Sequence, residues 1–141
     1  MTVVPGVYQL RIRLRKPAVV DVGALGRCRF AAGWYVYSGS ARSGLVQRIG
    51  CHLRRRKRMH WHIDYLLGVA DGVEAFVQPG VGLSECELHR SLSGGEALVA
   101  GFGSSDCECA SHLAYFPRRL RIKLMPYEAF LKTTQSLAAS P

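Results

Sequence analysis

The sequence predicts an α+β domain, a small mixed or antiparallel sheet flanked by helices. Residues 6–15, GVYQLRIRLR, alternate apolar and polar side chains with a period of two. Residues 34–37, WYVY, form a second run of aromatic and β-branched residues suited to a pleated surface. From about Ser43 the spacing becomes helical, with Leu45, Ile49, His52 and Leu53 on one side. At 141 residues the chain fits a single domain, 1–141, with no internal repeat and no low-complexity linker. One layered core is the economical arrangement.

In the first strand Tyr8, Leu10, Ile12 and Leu14 point one way, and Gln9, Arg11, Arg13 and Arg15 the other. The second face is expected to be wet and cationic, and Pro17 ends the strand. Val19–Val22 and Arg27–Phe30 form a hairpin around Gly23–Gly26. Ala32-Gly33 turns into the strand at Trp34, and Ser38, Gly39, Ser40 and Gly44 break the pattern into a loop. The helix that follows, 43–57, packs on the sheet through Leu45, Ile49 and Leu53, and the run Arg54-Arg55-Arg56-Lys57-Arg58 ends it. HWHIDYLL resumes helical spacing, Asp71-Gly72 turns, and Val73–Val77 is a further strand. Ser84 is the N-cap of a helix ECELHRSL, with Glu87 completing a capping box. Leu98–Ala100 reads as a short strand, CECASHLAYF has no clear period, and residues 119–124 alternate as a C-terminal strand. Pro126 starts a last short helix, and the tail SLAASP is expected to fray.

Charge narrows the partners. Residues 1–63 hold 13 of the 19 Lys and Arg against the single acid Asp21, a net +12, whereas residues 64–141 hold six against nine acids, a net −3. A general solubility surplus would not gather in one half. An electropositive face turned toward a polyanion explains it, and nucleic acid, DNA first, is the expected partner. The basic helix lacks the broad Trp and Phe face of a membrane-surface helix, and no apolar run approaches the roughly 18 residues of a span. The N-terminus MTVVPGVYQL shows no export signal, and five cysteines at irregular spacing suit a reduced compartment. Cytoplasm is the expected location.

Several residue groups have the chemistry of a site. A strand, a glycine-containing loop and a cationic helix in succession present N–H and guanidinium groups to a phosphate. Arg42, Arg54, Arg55, Arg56, Lys57 and Arg58 supply the cations. Arg48, on the helix after the loop, is placed to stabilise charge on a phosphorane-like transition state, a surface salt bridge being the alternative. Tyr8 and Tyr37 are the strand hydroxyls to follow, though strand tyrosines commonly serve packing. His60 and Asp64 share a helical face and read as a local hydrogen bond, with metal or phosphate binding the alternative. Trp61 beside the basic run suits either stacking on an unpaired base or the core. Cys107-x-Cys109-x-x-His112, with Cys86, forms a candidate tetrahedral zinc set, and buried inert thiols are the alternative.

GVY at 6–8, YSG at 37–39, Arg48 and His52 resemble the GIY-YIG nuclease superfamily. VGALG, GWYVYSGSA, RIGCHLRRRKRMHWHIDYLL, EC and FGSSDCECASHLAYF resemble one branch of it, found alone or fused to endonuclease III-type DNA glycosylases. The likeness covers about residues 5–116, leaving the C-terminal strand and tail at 117–141 outside it. It implies adjacent strands for the two tripeptides and cleavage of DNA phosphodiesters with one divalent ion, Mg or Mn. Tyr8 would deprotonate or orient the attacking water and Tyr37 would lie by the scissile phosphate. Arg48 would bind that phosphate and His52 would support the site. Glu85 or Glu87 would hold the metal; the two point about 200° apart on a helix, and Glu85 is preferred because Glu87 has the capping role. Ser38 departs from the aliphatic residue of the second motif, and the hairpin at 19–30 lengthens the separation of the tyrosines.

Three functions follow as expectations. The first is a metal-dependent endonuclease linked to DNA repair, with a DNA glycosylase or other repair protein as a further partner. The second is a nucleic-acid-binding module that keeps the fold without cleavage. The third is a zinc-stabilised interaction domain whose basic patch meets a protein or RNA.

Overall fold

A computed structural model of the chain describes residues 3–54, 62–80, 82–92, 95, 102 and 112–139, with side chains as far as residue 133. Five strands form one antiparallel sheet: β1 (Gly6–Leu14), β4 (Gly33–Ala41), β5 (Gly72–Pro79), β6 (Leu113–Phe116) and β7 (Met125–Pro126). Their order across the sheet is β6-β4-β1-β5-β7, and β2 (Ala18–Asp21) pairs with β3 (Arg27–Phe30) as a separate hairpin. A 3-10 turn at Gly23–Leu25 joins the hairpin strands. The helices are α1 (Leu45–Leu53), α2 (His62–Leu67), α3 (Glu85–Arg90) and α4 (Tyr127–Ala139). The α+β class and the neighbouring positions of β1 and β4 agree with the sequence expectation.

The alternation of β1 becomes two cores, one on each face. Tyr8, Leu10, Ile12 and Leu14 join Tyr35 and Tyr37 of β4 beneath Leu45 and Ile49 of α1 and Ile63 and Leu66 of α2. Fully burying a side chain of this size contributes about 1.5–3 kcal/mol, so this layer holds α1 and α2 on the sheet. The stripe on α1 runs through residues 45, 49 and 52. His52 is buried, whereas Leu53, expected in the core, is 44% exposed. The helix ends at Leu53 and not at residue 57, because Arg54 turns to extended backbone.

The other face of β1 is covered, contrary to the wet cationic face expected. Val36, Phe76, Ala114, Phe116 and Ile122 form a second cluster there, and Gln9 and Arg11 are only 3% and 5% exposed. Arg11 is satisfied in place: it donates to Glu74 Oε1 at 2.7 and 3.1 Å and to the Leu120 carbonyl at 2.9 Å. Its guanidinium also lies 5.1 Å from the Phe76 ring centre, and Arg13 stays exposed with its own guanidinium 5.3 Å from Trp34. Residues 119–124 are therefore not a strand. Ile122 is drawn into the second cluster and the Leu120 carbonyl is taken by a side chain, so the segment crosses the sheet as irregular chain. The strand lies just upstream, β6, whose residues pair with Trp34–Tyr37 of β4. The last helix runs through the tail to Ala139, longer than expected. The expected strand at 98–100 lies outside the described residues.

Candidate functional site

Strand register brings the two tripeptides together. Tyr8 lies opposite Gly39, and Leu10 opposite Tyr37, so both tyrosines project to the α1 side with ring centres 6.4 Å apart. Gly39 is needed for this: a Cβ there would stand 2.5 Å from Cζ and from the hydroxyl oxygen of Tyr8. Gly6 answers a similar restriction, since its Cβ would meet the Gln78 carbonyl oxygen at 2.5 Å across the β1–β5 pair. Between Tyr37 and Gly39, Ser38 faces the opposite core, fully buried, and its hydroxyl accepts a 3.2 Å hydrogen bond from the buried Gln9 amide. A serine is tolerated in place of an aliphatic residue because its strand neighbour supplies the partner.

From Tyr8 a buried hydrogen-bond chain runs inward. The Tyr8 hydroxyl is 2.7 Å from His52 Nε2, and His52 Nδ1 is 3.3 Å from Asp64 Oδ1. All three residues are at most 2% exposed. An ionised carboxylate only accepts, so Nδ1 carries the proton toward Asp64 and Nε2 receives the tyrosine hydrogen. Asp64 is thus the partner of His52. The packing of α2 beside α1 turns Asp64 into the core, and the expected pairing of Asp64 with His60 falls on a residue outside the described ones.

Arg48 completes the cluster from α1. Its Nη1 donates to the Ser40 carbonyl at 3.0 Å, and its guanidinium lies near enough to the Tyr8 hydroxyl to act on its ionisation. Burial drives the Tyr8 pKa far above its ordinary value, helped by neighbouring Tyr37 and opposed by the charge of Arg48. Tyr37 is pushed up to about 12, first by burial and further by Asp64 and Glu85, with Arg48 again opposing. Both hydroxyls are therefore protonated at neutral pH, with one guanidinium acting on both.

Glu85 bears on Tyr37 and lines a cleft of about 260 Å³ together with Gly6, Val7, Ser40, Arg42 and Ser84. Arg42 is exposed at its edge. Tyr8, Tyr37 and Arg48 are not part of the lining; they stand behind it, attached to the lining strands at Val7 and Ser40. Glu87 also reaches the cleft, but its backbone N–H donates to Ser84 Oγ and its carboxylate accepts from the same hydroxyl, both at 3.1 Å. The N-cap at Ser84 is as expected. The carboxylate bonds to the serine hydroxyl where the capping box anticipates the backbone N–H. Among the described residues no three His, Cys, Asp or Glu side chains already enclose a common point. Glu85 offers one carboxylate at the cleft, and a hydrated hard cation needs only one or two.

Of the four zinc candidates, Cys86 and His112 meet, with Sγ 3.3 Å from Nε2. Cys107 and Cys109 lie outside the described residues, as do Arg55, Arg56, Lys57, Arg58 and Trp61; Arg54 is described and exposed. Sequence reasoning missed His89, one helical turn after Cys86, whose ring centre is 5.9 Å from that of His112. The Cys86–His89 spacing is the signal that points to it.

Fold and site together define a small α+β domain that keeps a buried tyrosine–histidine–aspartate chain behind a cleft containing an arginine and a glutamate. The chain belongs to the family described as "Domain of unknown function DUF123", which matches residues 7–135. No curated protein and no solved structure matches it.

Proposed function

We propose that this domain is a metal-dependent DNA endonuclease of the GIY-YIG type, acting in DNA repair. The observation that supports the reading is the gathering of Tyr8, Tyr37, Arg48 and His52 in one cluster, with Glu85 near enough to act on Tyr37. These residues come from β1, β4, α1 and α3, and chemistry at one phosphorus needs such groups within a few ångströms of it. A bound Mg or Mn ion, held by Glu85, would polarise the phosphoryl oxygen. Arg48 binds the scissile phosphate beside Tyr37 and stabilises its growing charge. Tyr8 orients the attacking water and passes its proton to His52, while Asp64 fixes the ring tautomer and balances the imidazolium. Arg42 and the cations at 54–58 draw the DNA backbone to the cleft. A DNA glycosylase or another repair protein is the proposed protein partner, and the cytoplasm the proposed location.

A second reading, a nucleic-acid-binding module without cleavage, is favoured by one specific observation. Tyr8 is 1% exposed, which withholds its hydroxyl from bulk water. A nicking assay over single-stranded, duplex, flap and junction DNA, with Mg or Mn, separates the two. Arg48→Ala should slow cleavage about 10²–10³-fold, by analogy with removal of one oxyanion donor, and weaken DNA binding far less. Glu85→Gln should abolish metal-dependent cleavage with the fold intact, and Glu87→Gln should leave it. DNA binding without nicking of any substrate by the wild-type chain selects the binding module.

A further inference from the structure

The second face of the sheet carries cations that the cleft does not use. Residues 64–141 are acidic overall, yet four of their six Lys and Arg fall in the segment that crosses this face: Arg118, Arg119, Arg121 and Lys123. No acid interrupts residues 117–127. Leu120, Ile122 and Leu124 turn inward onto the second core, and all four cations are exposed. Strand register adds another. Arg13 of β1 lies opposite Trp34 of β4, so the two share this face. The Arg13 and Arg119 guanidinium groups lie 5.3 and 6.0 Å from the centre of the half-buried Trp34 ring.

Among the described residues neither arginine has an ion-pair partner. The neighbouring acids are engaged: Glu74 accepts from Arg11, and the Asp71 carboxylate accepts from the Arg15 backbone N–H at 2.7 Å. An exposed cation–π contact is worth about 0.5–1 kcal/mol, enough to orient a guanidinium but not to neutralise it. Two such groups on one indole, both open to water, are set to take an anion between them. A purely stabilising role accounts for an arginine on the ring but not for the uncompensated run beside it. The indole packs on the second core and carries the guanidinium groups, so it is not offered to an unpaired base as single-strand sites require. That points to a ligand met through phosphates alone, and a duplex backbone carries one negative charge per about 1.7 Å of its axis.

We propose that Arg13, Arg119, Arg121 and Lys123 form a second DNA-binding surface, which holds the phosphate backbone of double-stranded DNA on the face of the sheet opposite the tyrosine cluster. The surface rests on DNA as the partner but not on cleavage. Tyr8 and Arg13 point to opposite faces and stand five strand residues apart, about 17 Å at about 3.4 Å per residue. The surface therefore engages phosphates other than the one at the cleft.

The test is fluorescence anisotropy of a labelled blunt-ended duplex with the full chain across a salt series. Replacing two cations, Arg13→Gln with Arg119→Gln, should reduce the slope of log Kobs against log salt by about 1.8, at about 0.9 per lost contact. Arg121→Gln with Lys123→Gln leaves the Trp34 contacts intact and should reduce the slope in the same way. Arg13→Lys with Arg119→Lys keeps the charges without the guanidinium forks and should keep the slope. Arg27→Gln with Lys132→Gln removes the same charge from exposed positions elsewhere and should leave the slope at its wild-type value. Melting curves check that each variant folds. An unchanged slope in either of the first two variants would overturn the surface. An equal fall in the Arg27 and Lys132 pair would also overturn it, because net charge alone would then suffice. A wild-type chain that binds no duplex overturns the surface together with the DNA reading, whereas one that nicks duplex and shows no slope change overturns the surface alone.

Discussion

Cutting the buried chain at its two ends tests whether Tyr8, His52 and Asp64 work as one unit. Tyr8→Phe removes the hydroxyl 2.7 Å from His52 Nε2, and Asp64→Ala removes the carboxylate 3.3 Å from Nδ1. Each leaves one nitrogen of a 2%-exposed imidazole facing protein, and a buried polar group without its partner costs about 1–3 kcal/mol. We expect Tyr8→Phe to cost about 1.5 kcal/mol, near the lower half of that range, because a neutral bond is lost. Asp64→Ala should cost about 3 kcal/mol, since the lost acceptor is charged and its place in the core is left open. At this chain length the second change lowers the melting temperature by about 10 °C. The two effects should not add. With Asp64 gone, the carboxylate no longer fixes the imidazole tautomer, so the further loss of the Tyr8 hydroxyl costs less. The double variant should fall about 1 kcal/mol short of the sum. Guanidinium unfolding of the four proteins gives that coupling, and because it is a difference it cancels other contacts of Asp64. Additivity within about 0.3 kcal/mol would refute a shared histidine.

Gly39→Ala should destabilise the domain by about 1–3 kcal/mol, because the new Cβ would stand 2.5 Å from the Tyr8 ring. Denaturant titration in the background of Tyr8→Ala should show most of that cost removed. Alkaline pH should unfold the protein early. Burial raises the pKa of Tyr8, Tyr35 and Tyr37 above 10.0, so the stability they confer is full below pH 10.0 and is lost as pH rises toward about 12. Unfolding midpoints that stay level above pH 10.0, or tyrosinate absorbance rising ahead of unfolding, would contradict this. Arg11→Ala should cost about 2–3 kcal/mol, mainly through the unpaired Leu120 carbonyl and lost packing on Phe76. Glu74→Ala should cost less than about 1 kcal/mol, because that carboxylate is half exposed. Equal losses in the two variants would show that the ion pair dominates.

Local periodicity made the scaffold readable from sequence. The alternation of residues 6–15 and the β-favouring run at 34–37 became the central antiparallel pair. The helical spacing at Leu45, Ile49 and His52 became the inner stripe of α1, and Ser84 became the N-cap of α3. Period and capping depend on residues within a turn or two of one another, which a sequence displays directly. The same reasoning failed where neighbours in space are distant in the chain. Residues 119–124 alternate like a strand, yet the Arg11 side chain and the second core claim them. The alternation on β1 marks two faces but not whether the polar one meets water; here Leu120, Ile122 and Leu124 pack over it.

By itself, then, the sequence determined the α+β class, the order of the central elements, the basic first half and the residue types on which the proposed phosphate chemistry rests. Only the tertiary structure decided who meets whom. Strand register set Tyr8 over Gly39, the packing of α2 on α1 gave His52 to Asp64, and the approach of α3 to the start of β6 joined Cys86 to His112. The physical reason is one of range. Side-chain direction along a strand or helix follows from backbone geometry a few residues long, whereas a partner 12, 26 or 44 residues away is chosen by how whole faces pack together.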